Sequence, residues 1–223
     1  MKVLLVLVTI HFSLLTTSAQ EEPEYRLEIG AGTGTVTYLG DYNGSLFKGM
    51  QPWGAVMAKY KMNPRTAIGL TIGYGRLKGS SDKVETWYPQ QRPEFGTKVL
   101  NAAMRYEYNF WPFGTGREYR GAQRLTPFVA IGLGTLYHGG PEKGVTAFLP
   151  LGAGVKYKIG DRLNLTAEWG MHFTLSDKLD GVSDPYGIKS GGIFKNTDCL
   201  SILQVALTYD FWERCKTCNN DRY

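Results

Sequence analysis

The residues best able to do chemistry are few and scattered. Cys199, Cys215 and Cys218 are an odd number of thiols, so in an oxidising compartment at least one lacks an internal partner. For Cys215-Lys216-Thr217-Cys218 three arrangements stand open: a local disulfide, a bond to a partner chain, or a metal clip. One CxxC without a second ligand pair supplies only half a zinc site, and a thioredoxin-like role lacks its βαβ setting. A disulfide is the favoured reading, and its intermolecular form would tie the tail to a partner. His138 and Ser176 are the nearest to a base and a nucleophile, but no Ser/His/acid spacing brings them together as acyl transfer or hydrolysis requires. Ile29-Gly30-Ala31-Gly32-Thr33-Gly34 invites comparison with the dinucleotide fingerprint. Its third glycine is misplaced, since position 35 is Thr, and Thr35-Val36-Thr37-Tyr38 continues as strand instead of opening a helix. No catalytic residue, metal or other cofactor is expected.

More informative is a set of ionisable residues that recurs at alternate positions: Arg26, Glu28, Lys59, Arg76, Arg105, Glu107, Lys156, Glu168 and His172. The elements that carry them are strands. In Leu163-Asn164-Leu165-Thr166-Ala167-Glu168-Trp169-Gly170-Met171-His172-Phe173 every odd position is apolar and the even positions are polar or Gly. A side-chain period of two puts these sets on opposite faces. The same alternation runs through Leu149–Ile159, Leu100–Phe110, Ile68–Tyr74 and Leu203–Phe211, and less cleanly through 24–38, 52–62 and 125–138. Segments of roughly ten residues, apolar on one face and polar on the other, are the signature of a transmembrane barrel.

Connection lengths alternate as well. Asn63-Pro64-Arg65 and Gly160-Asp161-Arg162 are tight turns, whereas 39–51, 78–97, 139–147 and 175–198 are long. Short periplasmic turns and long external loops are the expected asymmetry, and an even strand number leaves both termini in the periplasm. One connection departs from it: 112–124 falls on the short-turn side yet is long and basic, with Arg117, Tyr119, Arg120 and Arg124. It reads either as a solvated loop or as a docking surface for a periplasmic partner. Tyr108, Phe110 and Trp111, and again Tyr209, Phe211 and Trp212, end strands where an aromatic girdle belongs.

The N-terminus has the form of a secretory signal: Lys2, the apolar run from Val3 to Ile10, and small residues at Thr16-Thr17-Ser18-Ala19. The expected organisation is a signal peptide over 1–19, a barrel over 20–212 and a Cys-bearing periplasmic tail over 213–223. The fold class is all-β, an eight-stranded antiparallel up-and-down transmembrane barrel in the bacterial outer membrane, with lipid as its first partner. The 28 glycines and 13% aromatic content fit strands better than helices. Net charge is +5, but the cations are scattered, where a nucleic-acid site would need a patch or stripe. An eight-stranded interior is filled by side chains, so Arg105, Glu107, Lys156, Glu168 and His172 are expected to form a polar network and not a pore.

Thr126-Pro127-Phe128-Val129-Ala130-Ile131-Gly132-Leu133-Gly134, Leu149-Pro150-Leu151-Gly152-Ala153-Gly154-Val155-Lys156-Tyr157 and the stretch from Phe173 to Ser183 resemble a Bacteroidetes outer-membrane barrel family. That family includes PorG of the type IX secretion system. Tyr38-Leu39-Gly40-Asp41 and Met104-Arg105-Tyr106-Glu107-Tyr108-Asn109 fit it too. The resemblance implies a non-enzymatic component that anchors a periplasmic ring of lipoprotein and partner subunits to the outer membrane. On topology, the implied contact region is the 112–124 connection and the tail, including Cys215 and Cys218. The alternative is a generic structural or adhesive barrel acting through its external loops.

Overall fold

The computed structural model describes residues 23–39, 49–80, 94–115, 122–139, 143–175 and 199–213. The expected signal peptide over 1–19 and Cys215 and Cys218 of the expected tail lie outside them. Eight strands follow one another: β1 (Tyr25–Leu39), β2 (Gln51–Lys61), β3 (Thr66–Ser80), β4 (Glu94–Asn109), β5 (Leu125–Gly139), β6 (Lys143–Lys158), β7 (Leu163–Thr174) and β8 (Cys199–Glu213). Each pairs antiparallel with the next, and β1 pairs with β8, from Tyr25↔Glu213 to Leu39↔Cys199, closing the barrel. Strands of 11 to 16 residues exceed the ~9–11 that a tilted strand needs to cross a bilayer.

Three strands run further toward the loop end than the alternation suggests. β3 reaches Ser80, β4 starts at Glu94 and β6 at Lys143, whereas β8 starts at Cys199, directly after the expected loop 175–198. The expected loops 78–97 and 139–147 are shorter by these residues. Backbone pairing continues past the bilayer, where neither face meets lipid and the polarity period fades.

Along the middle of the strands one face is exposed and apolar. Leu70, Ile72, Leu100, Met104, Ile131, Leu133, Trp169, Leu203, Val205 and Leu207 all point outward. With each strand hydrogen-bonded to both neighbours in a closed sheet and the charged residues of the strand centres turned inward, this wall belongs in hydrocarbon. The chain is an outer-membrane barrel. At the turn end Tyr108 meets Phe110 edge-on at 5.8 Å and Tyr209 meets Phe211 at 4.8 Å, beside exposed Trp111 and Trp212.

One inward expectation is corrected. Arg76 is exposed, in phase with Ile72 and Tyr74, while Leu77 is the buried residue of that stretch. Strand parity decides this, since position 76 shares its face with 72 and 74.

Gly30, Gly32 and Gly34 lie on β1 opposite Thr208, Ala206 and Gln204 of β8. A Cβ on Gly30 would stand 2.2 Å from the Leu207 carbonyl oxygen. These glycines permit close approach at the barrel seam, and β1 runs through them as strand instead of opening a helix.

Candidate functional site

The lumen is stratified, and each layer follows from which residues take the inward positions. Nearest the turn end, β2 contributes Lys59 and Lys61, and β6 contributes Lys156 and Lys158. Each pair is two residues apart and so on one face. Three carboxylates answer them from β1, β4 and β8. Glu28 receives Lys61 at 3.1 Å and Lys59 at 3.8 Å. Glu107 receives Lys59 at 3.0 Å and also Lys156. Asp210 receives Lys61 at 2.5 Å and Lys158 at 2.6 Å. Glu28 and Asp210 are directly opposed across the β1–β8 pair, a destabilising arrangement for like charges. Lys61 bridges them, and the hydroxyl of Thr208 donates to Glu28 at 2.7 Å.

The middle layer joins β4, β7 and β8. Arg105 pairs with Glu168, whose other oxygen accepts from the Gln204 amide at 3.4 Å. The space for this pair comes from Gly152, where a Cβ would stand 2.6 Å from Glu168 Oε1 and 2.9 Å from Arg105 Nη2. His172 lies above, 3.3 Å from the Asn101 amide nitrogen and stacked on Phe148 at 4.7 Å between centroids. A cavity of about 20 Å³ bordered by Arg105, Glu168 and His172 has room for one water.

Toward the loop end the interior turns apolar. Val36, Tyr38, Trp53, Leu77, Val99, Leu136, Phe148, Leu200 and Ile202 form one buried cluster across the lumen. This layer is absent from the sequence reading, which expected polar residues inside. Its signal is an interrupted alternation: Leu77, Val99, Leu136 and Leu200 sit at inward positions that elsewhere hold Gly, Asn or charge.

The turn end is closed differently. Phe113, from the anomalous 112–124 connection, is buried, with the ammonium groups of Lys61, Lys156 and Lys158 at 5.7, 5.8 and 5.6 Å from its ring centroid. These are cation–π distances. Its backbone N–H donates to the Pro64 carbonyl at 3.0 Å. Behind it, Gly114 N donates to Gln123 O at 3.0 Å and Gln123 N to Pro112 O at 2.7 Å. The Thr115 hydroxyl donates to Glu24 at 2.8 Å, and Arg124 Nε donates to the Thr115 carbonyl at 2.9 Å. The base of this connection is thus folded against the barrel mouth, with one aromatic ring facing the lysine layer.

The structure therefore brings Arg105, Glu107, Lys156, Glu168 and His172 together inside the barrel. It adds Lys61, Lys158 and Asp210, which the sequence reading left out of the network. Arg124 is exposed at the turn end. Arg117, Tyr119, Arg120, Cys215 and Cys218 lie outside the described residues, as does Ser176. His138 is buried on the inward face near the loop end, and Cys199 stands at the loop end of β8. With about 3.3 Å of rise per residue, the length of β8 separates Cys199 from the turn end, where the tail begins. Among the described residues no three His, Cys, Asp or Glu converge as metal ligands.

Removing one partner of the middle layer tests its structural weight. Glu168→Ala leaves Arg105 without its carboxylate, and such buried losses cost about 3 kcal/mol. The urea midpoint of the refolded barrel should fall accordingly, while planar-bilayer recordings show no new conductance, because the apolar layer and Phe113 still close the lumen on either side. An unchanged midpoint would remove the pairing from the stability of the barrel.

A family model described as a domain of unknown function, DUF6089, matches residues 2–220. No curated protein matches the chain. Among solved structures, Neisserial surface protein A (NspA) from Neisseria is similar at TM-score 0.50 and 14% identity, over 83% of this chain and 97% of that one. The outer membrane protein OprG from Pseudomonas aeruginosa gives TM-score 0.49 and 11% identity, over 86% and 99%. The attachment invasion locus protein Ail of Yersinia pestis gives 0.46 and 10%, over 85% and 99%. At such identities the NspA likeness speaks for the fold alone, and it is the eight-stranded barrel already described.

Proposed function

Since the chain belongs to the DUF6089 family, whose description leaves function open, we propose a role on the barrel's own features: it is a non-enzymatic component of the type IX secretion system. In this reading the barrel anchors a periplasmic ring complex, lipoprotein included, to the outer membrane. The observation that carries the proposal is the 112–124 connection. Three turns join the strands at this end, and two of them are tight. The third is long, packs Phe113 and Thr115 against the barrel, and sets Arg124 at its exposed base. A loop fastened to its scaffold loses less entropy on binding than a free one, which suits an anchor.

The resemblance of 126–134, 149–157 and 173–183 to the Bacteroidetes family that includes PorG supports the same reading. Contacts would come from Arg117, Tyr119, Arg120 and Arg124, and from the tail with Cys215 and Cys218, where an intermolecular disulfide would make the attachment covalent. Deleting the gene should block export of cargo that carries the type IX C-terminal signal. Normal export in the deletion strain would end the proposal. Within it, removal of 116–121 should abolish crosslinks to periplasmic ring subunits while the barrel still folds.

The second reading, a structural or adhesive small barrel, is favoured by the likeness to small outer-membrane barrels such as NspA. It predicts that trimming 81–93 or 176–198 abolishes function and leaves secretion intact. The trim stays inside 81–93 because 78–80 and 94–97 are strand.

A further inference from the structure

On the outer wall of β2 and β3, near the loop end, lies a concavity of about 800 Å³. Its floor is apolar. Val56 and Tyr74 are exposed on either side of Gly54, which is registered with Tyr74. A Cβ at Gly54 would find its nearest atom, Gly32 O, at 4.0 Å. Packing does not demand glycine here, and the missing side chain is what opens the depression.

Cations gather at the outer edge of this floor. Arg76 and Lys78 line the concavity, and Arg76 is registered with Lys98 on the adjacent strand. All three are exposed on the outward face. The ion pairs formed among the described residues use none of them, although nearly every such pair is made by a lumen cation. In phase with lipid-facing residues, they stand where an apolar wall meets the headgroup region, and their stems can lie along the wall while the charges reach water.

An apolar groove in hydrocarbon, topped by positive charge that no ion pair among the described residues answers, is complementary to an amphiphile with an anionic head and acyl chains. The tight turns set the opposite end in the periplasm, so the groove faces the outer leaflet. We propose that it binds a phosphorylated acyl lipid of that leaflet. The acyl chains lie over Gly54, Val56 and Tyr74, and a phosphate is held by Arg76, Lys78 and Lys98. The planar fork of Arg76 can take two phosphate oxygens at once, while the lysines act as point charges.

The test counts lipid on the whole chain refolded in detergent, by native mass spectrometry, against lipid A, dephosphorylated lipid A and inorganic pyrophosphate. Lipid A should be retained in preference to its dephosphorylated form. A charge near an anionic surface contributes about a factor of five, so R76Q/K78Q/K98Q should bind roughly a hundredfold more weakly. Gly54→Phe fills the floor without changing charge and should also weaken retention, by about tenfold or more. Arg65→Gln, at the turn end, should leave it unchanged.

Equal retention by the wild type and the triple variant overturns the proposal, as does equal retention of the dephosphorylated lipid. Pyrophosphate that displaces lipid A at matching concentration would make this a free-phosphate site and overturn the lipid assignment. Should the triple variant fail to refold, Lys98→Gln alone decides, with about fivefold weaker binding expected and unchanged binding contradicting it.

Discussion

Replacing Gly30 and Gly34 together by alanine should prevent the barrel from closing, so that refolding into lipid vesicles yields no heat-resistant folded band on a gel. The two positions face Thr208 and Gln204 across the β1–β8 seam. A Cβ on Gly34 would lie 2.0 Å from Leu203 O and 2.7 Å from Gln204 Cα, and one on Gly30 would lie 2.2 Å from Leu207 O. The obstructing atoms are backbone, so no rotamer change relieves the contact and the strands themselves must part. Overpacking in a well-packed site costs about 1–3 kcal/mol. At this seam separation also breaks the hydrogen bonds that abolish the sheet edges, and each backbone group left unpaired in hydrocarbon costs several kcal/mol more. Gly54→Ala is the matched control, since its Cβ meets nothing closer than 4.0 Å, and it should refold like the parent. A Gly30/Gly34 variant that refolds in parental yield would show that close approach at the seam is dispensable.

The barrel was legible because one physical rule repeats along the chain. Odd positions of 163–173, from Leu163 to Phe173, face lipid, and even positions such as Asn164, Glu168 and His172 face inward. A slip of one residue would invert both sets, so the pattern determines register as well as strand type. Strand ends were not legible on the same ground. Pairs such as Ser80↔Glu94 and Gly139↔Lys143 lie beyond the bilayer, where only backbone hydrogen bonds define the strand and side-chain polarity carries no message.

The candidate site was legible in part. Inward parity places Lys59, Glu107, Lys156 and Glu168 correctly, and Arg76 fails the same test once its phase with Tyr74 is counted. Which carboxylate meets which cation depends on shear and on side-chain length across the lumen, and neither is written in a local window. Lys61 reaching Asp210 spans 149 residues of sequence. Phe113 was hidden for another reason. It sits in a connection rich in Gly and Arg that looks solvated, and only the position of the lysine layer beneath it explains why an aromatic ring turns inward there.

The lysine layer is also where a single substitution should cost most after the seam. Glu107, like Asp210, is shared by β2 and β6: it takes Lys59 at 3.0 Å on one oxygen and Lys156 on the other. Its side chain is 5% exposed and that of Lys156 is 2% exposed, so water cannot replace what is lost. Glu107→Ala leaves Lys156 without an ion pair among the described residues and Lys59 only with Glu28 at 3.8 Å. Breaking a buried pair from one side costs about 3–5 kcal/mol, and one stranded ammonium group beside a second that keeps only a long pair puts the expected loss near the upper end, about 5 kcal/mol. The urea midpoint in vesicles should drop by more than it does for Glu168→Ala. The complementary double variant separates charge from shape. Glu107→Leu with Lys156→Met removes both ions while keeping the volume, and apolar replacement of a buried pair is often neutral. Its stability should therefore return toward the parent, so that the two changes are strongly non-additive. If the double variant were as unstable as Glu107→Ala, the loss would come from the packing of the glutamate side chain, and the network would not be what holds this end of the lumen together.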